Sequence, residues 1–409
     1  MNKTMKVVSI VFAATIIAAI LLVAKNGTGF VLWSEKDSSI EALARKAGPP
    51  RPKFVRGIHL TAWIAGSSKF RPVINELLDE TELNTVVIDI KEYEGEVYIP
   101  GVKMVTENKT FTPAIPNIKD YLANLKKRNI YTVARIVVFK DNLMPRKRPE
   151  LAVKDAEGEI WKDRSGRVWL DPYNKEVWNY NISIAEQAID LGFDEIQFDY
   201  IRFPSDGNIR NCRYSQAHST TASSGALVGF LKEANERLKS KGANISIDVF
   251  GLTTTVTHDM GIGQQMVQMT QWVDYVSPMV YPSHYNKGEY GIADPNTSPY
   301  KVVFIAMEGA RKRLGLDTAK LRPYLQDFSM GHRYGKEEVR AQIQACYDND
   351  IGDWLLWNPR CVYTRSALKG NDEENFYVKS KNINELLGRK NHQDVKTSSA
   401  PVEPAPAAQ

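Results

Sequence analysis

The stretch Gly192-Phe-Asp-Glu-Ile-Gln-Phe-Asp-Tyr-Ile-Arg-Phe-Pro204 decides the fold. A helical pattern ends at its first glycine, which is typical of a left-handed helix cap. The residues that follow predict a strand over 195–203, and the strand is nearly continuously apolar. Such a run is typical of a parallel sheet buried on both faces. It nevertheless contains Asp199, Tyr200 and Arg202, polar groups that a plain core would not require.

The same alternation of helix and strand recurs along the chain. Strands are predicted at 55–61, 85–90, 131–139, 195–203, 245–250, 275–281, 321–328 and 354–357. Helices are predicted between them at 70–82, 118–129, 175–191, 225–241, 264–273, 302–314 and 337–350. Eight strands with intervening helices predict an α/β fold of the (β/α)₈ barrel type over 53–390. An open doubly wound sheet is the alternative, although no Gly-rich phosphate loop follows the first strand.

Most of the predicted strands end in polar or aromatic residues, and this convergence favours the barrel. The carboxyl ends of barrel strands are where such enzymes place their chemistry. The candidate carboxylates are Asp89, Glu92, Asp199, Asp248 and Asp327. The polar candidates for substrate binding are Arg135, Tyr200, Arg202 and Gln326. Lys91 lies between two of the carboxylates, and we expect it to pair with Asp89 or Glu92.

Composition excludes several classes of protein. The chain has 409 residues, of which 43% are hydrophobic and 25% charged, so it is neither wholly disordered nor a polytopic membrane protein. Its 53 basic and 48 acidic residues are interspersed, whereas a dedicated nucleic-acid binder concentrates its basic residues. No zinc-protease, serine-hydrolase or Walker motif is found. We therefore expect no nucleic-acid partner, no metal and no cofactor, with a calcium site built from Asp and Glu at the barrel mouth as the alternative.

The amino-terminal sequence indicates where in the cell the protein is located. Residues 7–24 form an uncharged run of 18 residues, with lysines on both sides. As a helix this run would be about 27 Å long, nearly the thickness of the bilayer hydrocarbon. We predict a signal anchor in 1–25, a linker at 26–52, an extracytoplasmic domain, and a disordered Pro/Ala-rich tail at 391–409. A cleaved signal peptide is the alternative, and it would export the same domain.

Several motifs resemble a bacterial glycosyl hydrolase domain family of largely unassigned function. They are Arg135-Ile-Val-Val-Phe-Lys-Asp141, Pro149-Glu-Leu-Ala152, Trp169-Leu-Asp-Pro172, the 192–204 stretch, Pro323-Tyr-Leu-Gln-Asp-Phe328 and Trp354-Leu-Leu-Trp-Asn358. The resemblance spans roughly 55–364, with the motifs in order. It implies a barrel related to the α-amylase and chitinase barrels.

The resemblance also suggests roles for individual carboxylates. Family 18 chitinases carry D-x-x-D-x-D-x-E on the fourth strand, but the acid position falls here on Ile201, which excludes that mechanism. The α-amylase clan uses an Asp nucleophile, a Glu acid and an assisting Asp after strands four, five and seven. The corresponding positions hold Asp199, Asp248 and Asp327. Asp248 departs from that pattern, because its side chain is one methylene shorter than Glu.

Each assignment has a structural alternative. Asp199 lies in an apolar run, where burying a carboxylate costs free energy. We therefore expect it to have a function, as the ionised catalytic group. It would otherwise be a buried partner of Arg202 or Arg135. Asp248 would otherwise be a helix cap or an acceptor of a hydrogen bond between strands. Two carboxylates with different protonation states would satisfy the general requirement of glycoside hydrolysis.

Aromatic residues provide the flat apolar surfaces on which pyranose rings pack. Candidates at strand ends are Trp63, Tyr281, Tyr285 and Trp357. Turn signals within 152–171 predict a hairpin after the third strand. We expect Trp161 and Trp169 on this hairpin to form an exposed sugar platform.

Together these features predict a membrane-anchored glycoside hydrolase that acts on a cell-envelope or extracellular polysaccharide. A catalytically silent barrel that binds glycans as a scaffold on the envelope is the alternative from another class, because barrels host many functions. A carbohydrate polymer and, through the amino-terminal helix, the membrane are the expected partners. The sequence does not indicate whether the protein has protein partners.

Overall fold

The structure, a computed structural model, describes residues 51–371 and 377–388. The predicted anchor, most of the linker and the Pro/Ala-rich tail lie outside these residues. Within the described ranges, no helix is both long enough and apolar enough to cross a membrane.

Eight parallel strands form a closed barrel in sequence order, which confirms the predicted fold. Closure comes from the pairing of the first strand with the last, as at Ile58 and Leu356. Every predicted strand is present. The bounds are β1 Arg56–Leu60, β2 Thr85–Lys91, β3 Tyr131–Val137, β4 Glu195–Asp199, β5 Asn244–Phe250, β6 Tyr275–Met279, β7 Tyr324–Gln326 and β8 Trp354–Trp357.

Helices connect the strands. They are α1 Ala62–Gly66, α2 Arg71–Glu80, α3 Lys103–Glu107, α4 Ile118–Lys127, α5 Met144–Lys147, α6 Lys175–Leu191, α7 Thr220–Ser240, α8 Met266–Thr270, α9 Pro299–Leu314, α10 Lys336–Asp348 and α11 Ile383–Leu387. All seven predicted helices have a counterpart among them, and α6 has the predicted bounds. The short helices α1, α3 and α5 follow the carboxyl ends of the first three strands and were not predicted.

The way α6 leads into β4 shows how local sequence fixes the site. The Asn174 side chain caps the helix by accepting a hydrogen bond from the backbone of Glu176. The helix ends at Gly192, whose φ of 113° lies in the left-handed region that glycine tolerates best. Asp194 then accepts hydrogen bonds from the backbone and hydroxyl of Thr132. This contact aligns β4 with β3 and thereby positions Asp199 at the carboxyl end.

A fully buried ion pair fills the opposite end of the barrel. Arg322 donates to both carboxylate oxygens of Glu195, the first residue of β4. The same carboxylate accepts hydrogen bonds from Tyr131 and Ser246. Although burial lowers the pKa of Arg322, the negative charge of Glu195 outweighs that effect and raises it. The pair is closed on all sides and lies far along the strand from Asp199.

We predict that Glu195→Gln destabilises the protein without touching the site. It leaves the buried Arg322 without its counter-charge, and breaking such a pair costs roughly 3–5 kcal/mol. Urea unfolding measures the change. Glu186→Gln is the matched control, because Glu186 pairs with Arg237 in a partly exposed position and should contribute less than about 1 kcal/mol. Equal, small effects of both changes would contradict the account.

Candidate active site

A cavity of about 400 Å³ opens at the carboxyl ends of β3 to β8. Its size lies within the range of small-molecule binding sites. Asp199 of the 192–204 stretch and Asp248 of β5 both reach the cavity, together with two arginines and several aromatic rings. The lining residues are Arg135, Asp199, Tyr200, Arg202, Asp248, Phe250, Gly251, Leu252, Gln264, Met279, Tyr281, His284, Tyr285, Tyr324 and Trp357.

Arg135 of β3 holds the carboxylates of this end of the barrel together. Its Nη1 donates to Asp89 (2.6 Å) and to Glu92 (2.8 Å). Its Nε donates to Asp199 at 3.1 Å and lies 3.8 Å from Asp248. Burial alone would lower the pKa of Arg135, but the four neighbouring carboxyl groups raise it well above its ordinary value. The guanidinium is therefore a permanent positive charge at the centre of the site.

Asp199 is the last residue of β4, and Arg135 holds its carboxyl group in place. One oxygen, Oδ2, receives both Nε and Nη2 of Arg135, an arrangement that stabilises the ionised form. The other oxygen accepts the backbone N–H of Tyr200. Tyr200 has a φ of 49°, which is unusual for a residue other than glycine and is found at functional sites. This backbone turn brings the Tyr200 side chain and the Asp199 carboxylate to the same cavity.

Asp248 on the neighbouring strand β5 has a contrasting environment. Its side chain is buried, with only 1% of its surface exposed. Its Oδ1 has no hydrogen-bond partner among the residues that the structure describes. Burial raises the pKa of Asp248 well above its ordinary value, and the negative charge of Asp199 raises it further. Both effects favour the neutral, protonated form of this carboxyl group.

Asp89 and Glu92 lie behind Arg135 rather than on the lining of the cavity. The Nε2 of His59 lies 2.6 Å from Asp89, and the imidazole stacks on Trp357 at 3.9 Å. Burial and the charge of Arg135 lower the pKa of His59 to about 3, so the ring is neutral. Burial and the charge of Asp89 raise the pKa of Glu92 to about 8. These groups position Arg135, and the structure gives neither carboxylate direct access to a substrate in the cavity.

The ligand atoms of His59, Asp89 and Glu92 lie within 4.8 Å of one another, which is close enough to hold a metal ion. Arg135 nevertheless donates to both carboxylates of this group. A cation at this position would have to displace those hydrogen bonds and to lie against the guanidinium. The arginine thus already supplies the positive charge that a metal would bring.

The predicted partner of Lys91 is wrong. The pairing of β2 with β3 shifts register between Asp89 and Lys91, and such a bulge re-aims the side chain that follows it. Lys91 points away from the site, donates to the carbonyl of Val137 at 2.6 Å, and pairs with Asp141 at 3.0 Å. Strand alternation alone would have placed it beside Asp89.

The predicted tryptophan platform is also wrong as an exposed surface. Trp161 and Trp169 are only 3% and 1% exposed. The segment does fold back on itself, with bridges that join Lys154 to Ile160 and Ala152 to Leu170. The loop after β4 covers it, however, and the Trp161 indole donates to the carbonyl of Asn208 in that loop. Turn signals within the segment carry no information about that distant loop.

Two further candidates, the last residue of β7 and the residue that follows it, hold loops in place and are not among the residues that line the cavity. Gln326 accepts from the backbone of Ser283 and donates to the carbonyl of Phe328. Asp327 accepts from the backbone and hydroxyl of Thr364, at 2.8 and 2.6 Å. These contacts fix the loops after β6, β7 and β8. The structure gives no support to the assisting role suggested for Asp327, because Thr364 occupies both of its oxygens and the residue does not line the cavity.

The remaining aromatic candidates divide into two groups. Tyr200, Tyr281, Tyr285 and Trp357 line the cavity. Trp63 lies on α1 beyond the cavity lining, with 59% of its surface exposed, and its ring meets Tyr98 edge-on. Its role in binding stays a prediction.

Some residues of the site were not predicted from the sequence. Gln264 joins the ends of two strands, because it donates to the carbonyls of Ile201 and Asp248 and accepts from the backbone of Phe250. It lies in a loop just before α8, whereas the sequence predicted it as the first residue of a helix, a pattern that does not indicate contacts with the strand ends. Tyr324 could have been found, since it lies two residues before Gln326 and strand alternation places both on one face.

The structure thus defines a (β/α)₈ barrel with a pair of carboxyl groups in different environments at its mouth. Residues 57–363 match a family model described as "Putative glycosyl hydrolase domain". The match spans most of the chain, so the chain belongs to this family, and the resemblance seen in the sequence is confirmed.

Two solved structures with TM-scores above 0.5 show the same fold. The glycoside hydrolase domain of PgaB (BpsB) from Bordetella bronchiseptica is 14% identical, with a TM-score of 0.56 over 78% of this chain and 99% of that chain. α-L-Fucosidase isoenzyme 2 from Paenibacillus thiaminolyticus is 10% identical, with a TM-score of 0.52 over 77% of this chain and 47% of that chain. A hypothetical protein from Ruminiclostridium thermocellum ATCC 27405 is 37% identical over 47% of this chain and 97% of that chain, with a TM-score of 0.43. A comparison with curated proteins found no match.

The burial of Trp161 gives a direct prediction. Trp161→Ala should lower the free energy of unfolding by roughly 3–5 kcal/mol, the usual cost of removing a buried tryptophan. Trp63→Ala is the control on an exposed indole and should change it by less than about 0.5 kcal/mol. Thermal and urea unfolding provide the measurement. If Trp161→Ala is as stable as Trp63→Ala, Trp161 is not buried, and the interpretation as an exposed platform would be supported.

Proposed function

We propose that this barrel hydrolyses a glycosidic bond in a cell-envelope or extracellular polysaccharide. The observation that carries the proposal is the pair Asp199 and Asp248, which lie on adjacent strands and face one cavity. Asp199 is ionised because Arg135 holds it, whereas burial keeps Asp248 protonated. Two carboxyl groups whose environments separate their protonation states are what glycoside hydrolysis requires.

In the first step, Asp199 attacks the anomeric carbon while Asp248 donates its proton to the departing sugar oxygen. The glycosidic bond breaks as the bond to Asp199 forms. In the second step, Asp248, now ionised, takes a proton from a water molecule whose oxygen displaces Asp199. The product sugar leaves, and both carboxyl groups return to their starting states.

The spacing of the pair supports this two-step course. The Oδ2 atoms of Asp199 and Asp248 lie 3.1 and 3.8 Å from the same Nε of Arg135. They are therefore no more than about 7 Å apart, a limit that admits the ~5–5.5 Å of retaining enzymes and excludes most of the ~6.5–9.5 Å range of inverting ones. The aromatic lining supports a sugar substrate, because Tyr200, Tyr281 and Trp357 offer ring surfaces beside the carboxylates.

The role of Asp199 can be tested with Asp199→Asn, which keeps the shape and removes the charge. Turnover should fall by at least ~10²–10⁴-fold, the typical contribution of such a group. The melting temperature should change little, because Arg135 keeps its hydrogen bonds to Asp89 and Glu92. Release of reducing ends from a panel of envelope and extracellular polysaccharides measures turnover, and calorimetry measures stability.

Asp190→Asn is the control for this experiment, because Asp190 pairs with Lys241 on the exposed face of α6. It should leave both quantities unchanged. An Asp199→Asn protein that melts early yet keeps wild-type turnover per folded molecule would show that Asp199 is only a partner of Arg135. A wild-type protein that binds glycans but cleaves none would favour the silent scaffold.

The raised pKa of Asp248 predicts how activity and stability depend on pH. The ratio kcat/KM should decrease as the pH rises through that pKa, because the general acid must carry its proton. Stability should decrease in the same direction. The unfolded chain ionises this group above about pH 4, whereas the folded chain resists ionisation.

Asp248→Asn cannot ionise and therefore isolates both effects. Its free energy of unfolding relative to the wild type should increase as the pH is raised from about 4, the ordinary pKa of Asp. Its residual activity should lack the decrease on the basic side. If the difference in stability between the two proteins is independent of pH, the claim that folding favours the protonated form of Asp248 is refuted.

We further propose that residues 7–24 anchor the protein in the membrane with the barrel outside the cytoplasm. The uncharged length of the run and the lysines on both sides support this location. The mature protein should keep Met1 and remain with the membranes after an alkaline wash. A soluble mature protein that begins near Lys25 would show that the run is a cleaved signal peptide.

A further inference from the structure

Arg202, three residues beyond the end of β4, is the second guanidinium on the cavity. It is buried, with 7% of its surface exposed. Its Nη1 donates to the carbonyl of Phe203 at 3.0 Å and to the hydroxyl of Ser205 at 3.1 Å. Both acceptors are neutral, so neither balances the charge of the arginine.

Arg202 differs in this respect from the other buried arginines of the barrel. Arg135 and Arg322 each contact carboxylates within hydrogen-bond distance. In the described residues, no Asp or Glu oxygen lies within 4.0 Å of the guanidinium of Arg202. Asp199, Asp206 and Asp163 act on it only from farther away. A buried charge without a partner costs free energy, which a ligand can recover.

Aromatic rings hold the Arg202 guanidinium in place. Its central carbon lies 4.9 Å from the ring centres of Trp169 and Tyr200 and 4.8 Å from that of Phe250. Such contacts stabilise a cation without neutralising it. They also fix the plane of the guanidinium. Its Nε and Nη2 donate to no group of the described part of the chain, and the side chain lines the cavity.

The two guanidinium groups that line the cavity therefore differ in their partners. Arg135 contacts several carboxyl groups, whereas Arg202 contacts only neutral acceptors. A planar guanidinium with two free N–H donors matches the geometry of a carboxylate, sulfate or phosphate group. Arg202 lies only three residues after Asp199 in the chain, and both side chains line the same cavity as Asp248, which places this anion-binding group beside the proposed reacting pair.

We propose that Arg202 forms an anion subsite and that the substrate is an acidic glycan. This inference rests on the proposed hydrolase function and names its substrate class. The anionic group would be the carboxylate of a uronic acid or a sulfate or phosphate ester on the sugar next to the bond that is cleaved. The guanidinium would bind it through the two free donors.

The test measures dissociation constants of the full chain by calorimetry for sugars that differ only in charge. The pairs are glucuronate against its methyl ester, galacturonate against galactose, and glucose 6-sulfate and glucose 6-phosphate against glucose. At least one anionic member should bind about 10- to 100-fold more tightly than its neutral partner, as expected for hydrogen bonds to a charged group. The pair that shows the preference identifies the anionic group.

The variants Arg202→Met and Arg202→Lys assign the preference to its residue. The methionine variant should abolish it, and the lysine variant, which keeps the charge but loses the planar fork, should retain only part of it. Arg210→Met is the control, because Arg210 is exposed in the same loop, and it should keep the full preference. If Arg202→Met does not fold, the lysine variant and the wild-type pairs still decide the question.

The inference is overturned if charged and neutral members bind equally, if none of the anionic sugars binds, or if the preference survives in Arg202→Met. Its failure is distinguishable from failure of the hydrolase proposal. Cleavage of neutral polymers that requires Asp199, without any preference for charge, would refute only the anion subsite. A preference that depends on Arg202, in a protein that cleaves no glycan, would refute only hydrolysis.

Discussion

One buried guanidinium organises the mouth of this barrel. Arg135 extends from β3 and meets carboxyl groups from β2, β4 and β5, together with Glu92 just beyond β2. A buried charge is tolerated only when it is paired, so the arginine and its carboxylates require one another. The strands that carry them must therefore lie side by side in one register. The contacts of Arg135 that align these strands also assemble the site.

Arg135 also divides the carboxyl groups by function. Asp199 receives two of its N–H donors, whereas Asp248 lies just beyond hydrogen-bond distance at 3.8 Å and has an unpartnered oxygen. Two chemically identical side chains on adjacent strands thus lie in different electrostatic environments. At the other end of β4, the pair Glu195 and Arg322 is closed on all sides, and no such difference arises. In the described part of the chain, the carboxyl ends of the strands combine paired charges with a cavity, whereas the pair at the opposite end is enclosed.

The sequence predicted what depends on local pattern. Continuous apolar runs identified all eight strands, and the polar residues at their ends located Arg135, Asp199 and Asp248 at the mouth. The predictions that the structure does not support concern residues whose surroundings depend on contacts between distant segments. The bulge after Asp89 redirected Lys91, and a loop after β4 covered Trp161. Asp327 was assigned by analogy, but Thr364, which follows β8, occupies both of its oxygens. The absence of a carboxylate beside Arg202 likewise becomes visible only in three dimensions.

The central claim is that Asp199 is ionised and Asp248 protonated in the same cavity at neutral pH. Infrared difference spectroscopy of Asp248→Asn and Asp199→Asn against the wild type, with aspartate labelled by ¹³C at the carboxyl carbon, tests it most directly. The account predicts that Asp248→Asn loses the carbonyl stretch of a protonated carboxylic acid and that Asp199→Asn loses the stretches of an ionised carboxylate. Loss of an ionised carboxylate from Asp248→Asn, or of a protonated acid from Asp199→Asn, would contradict it.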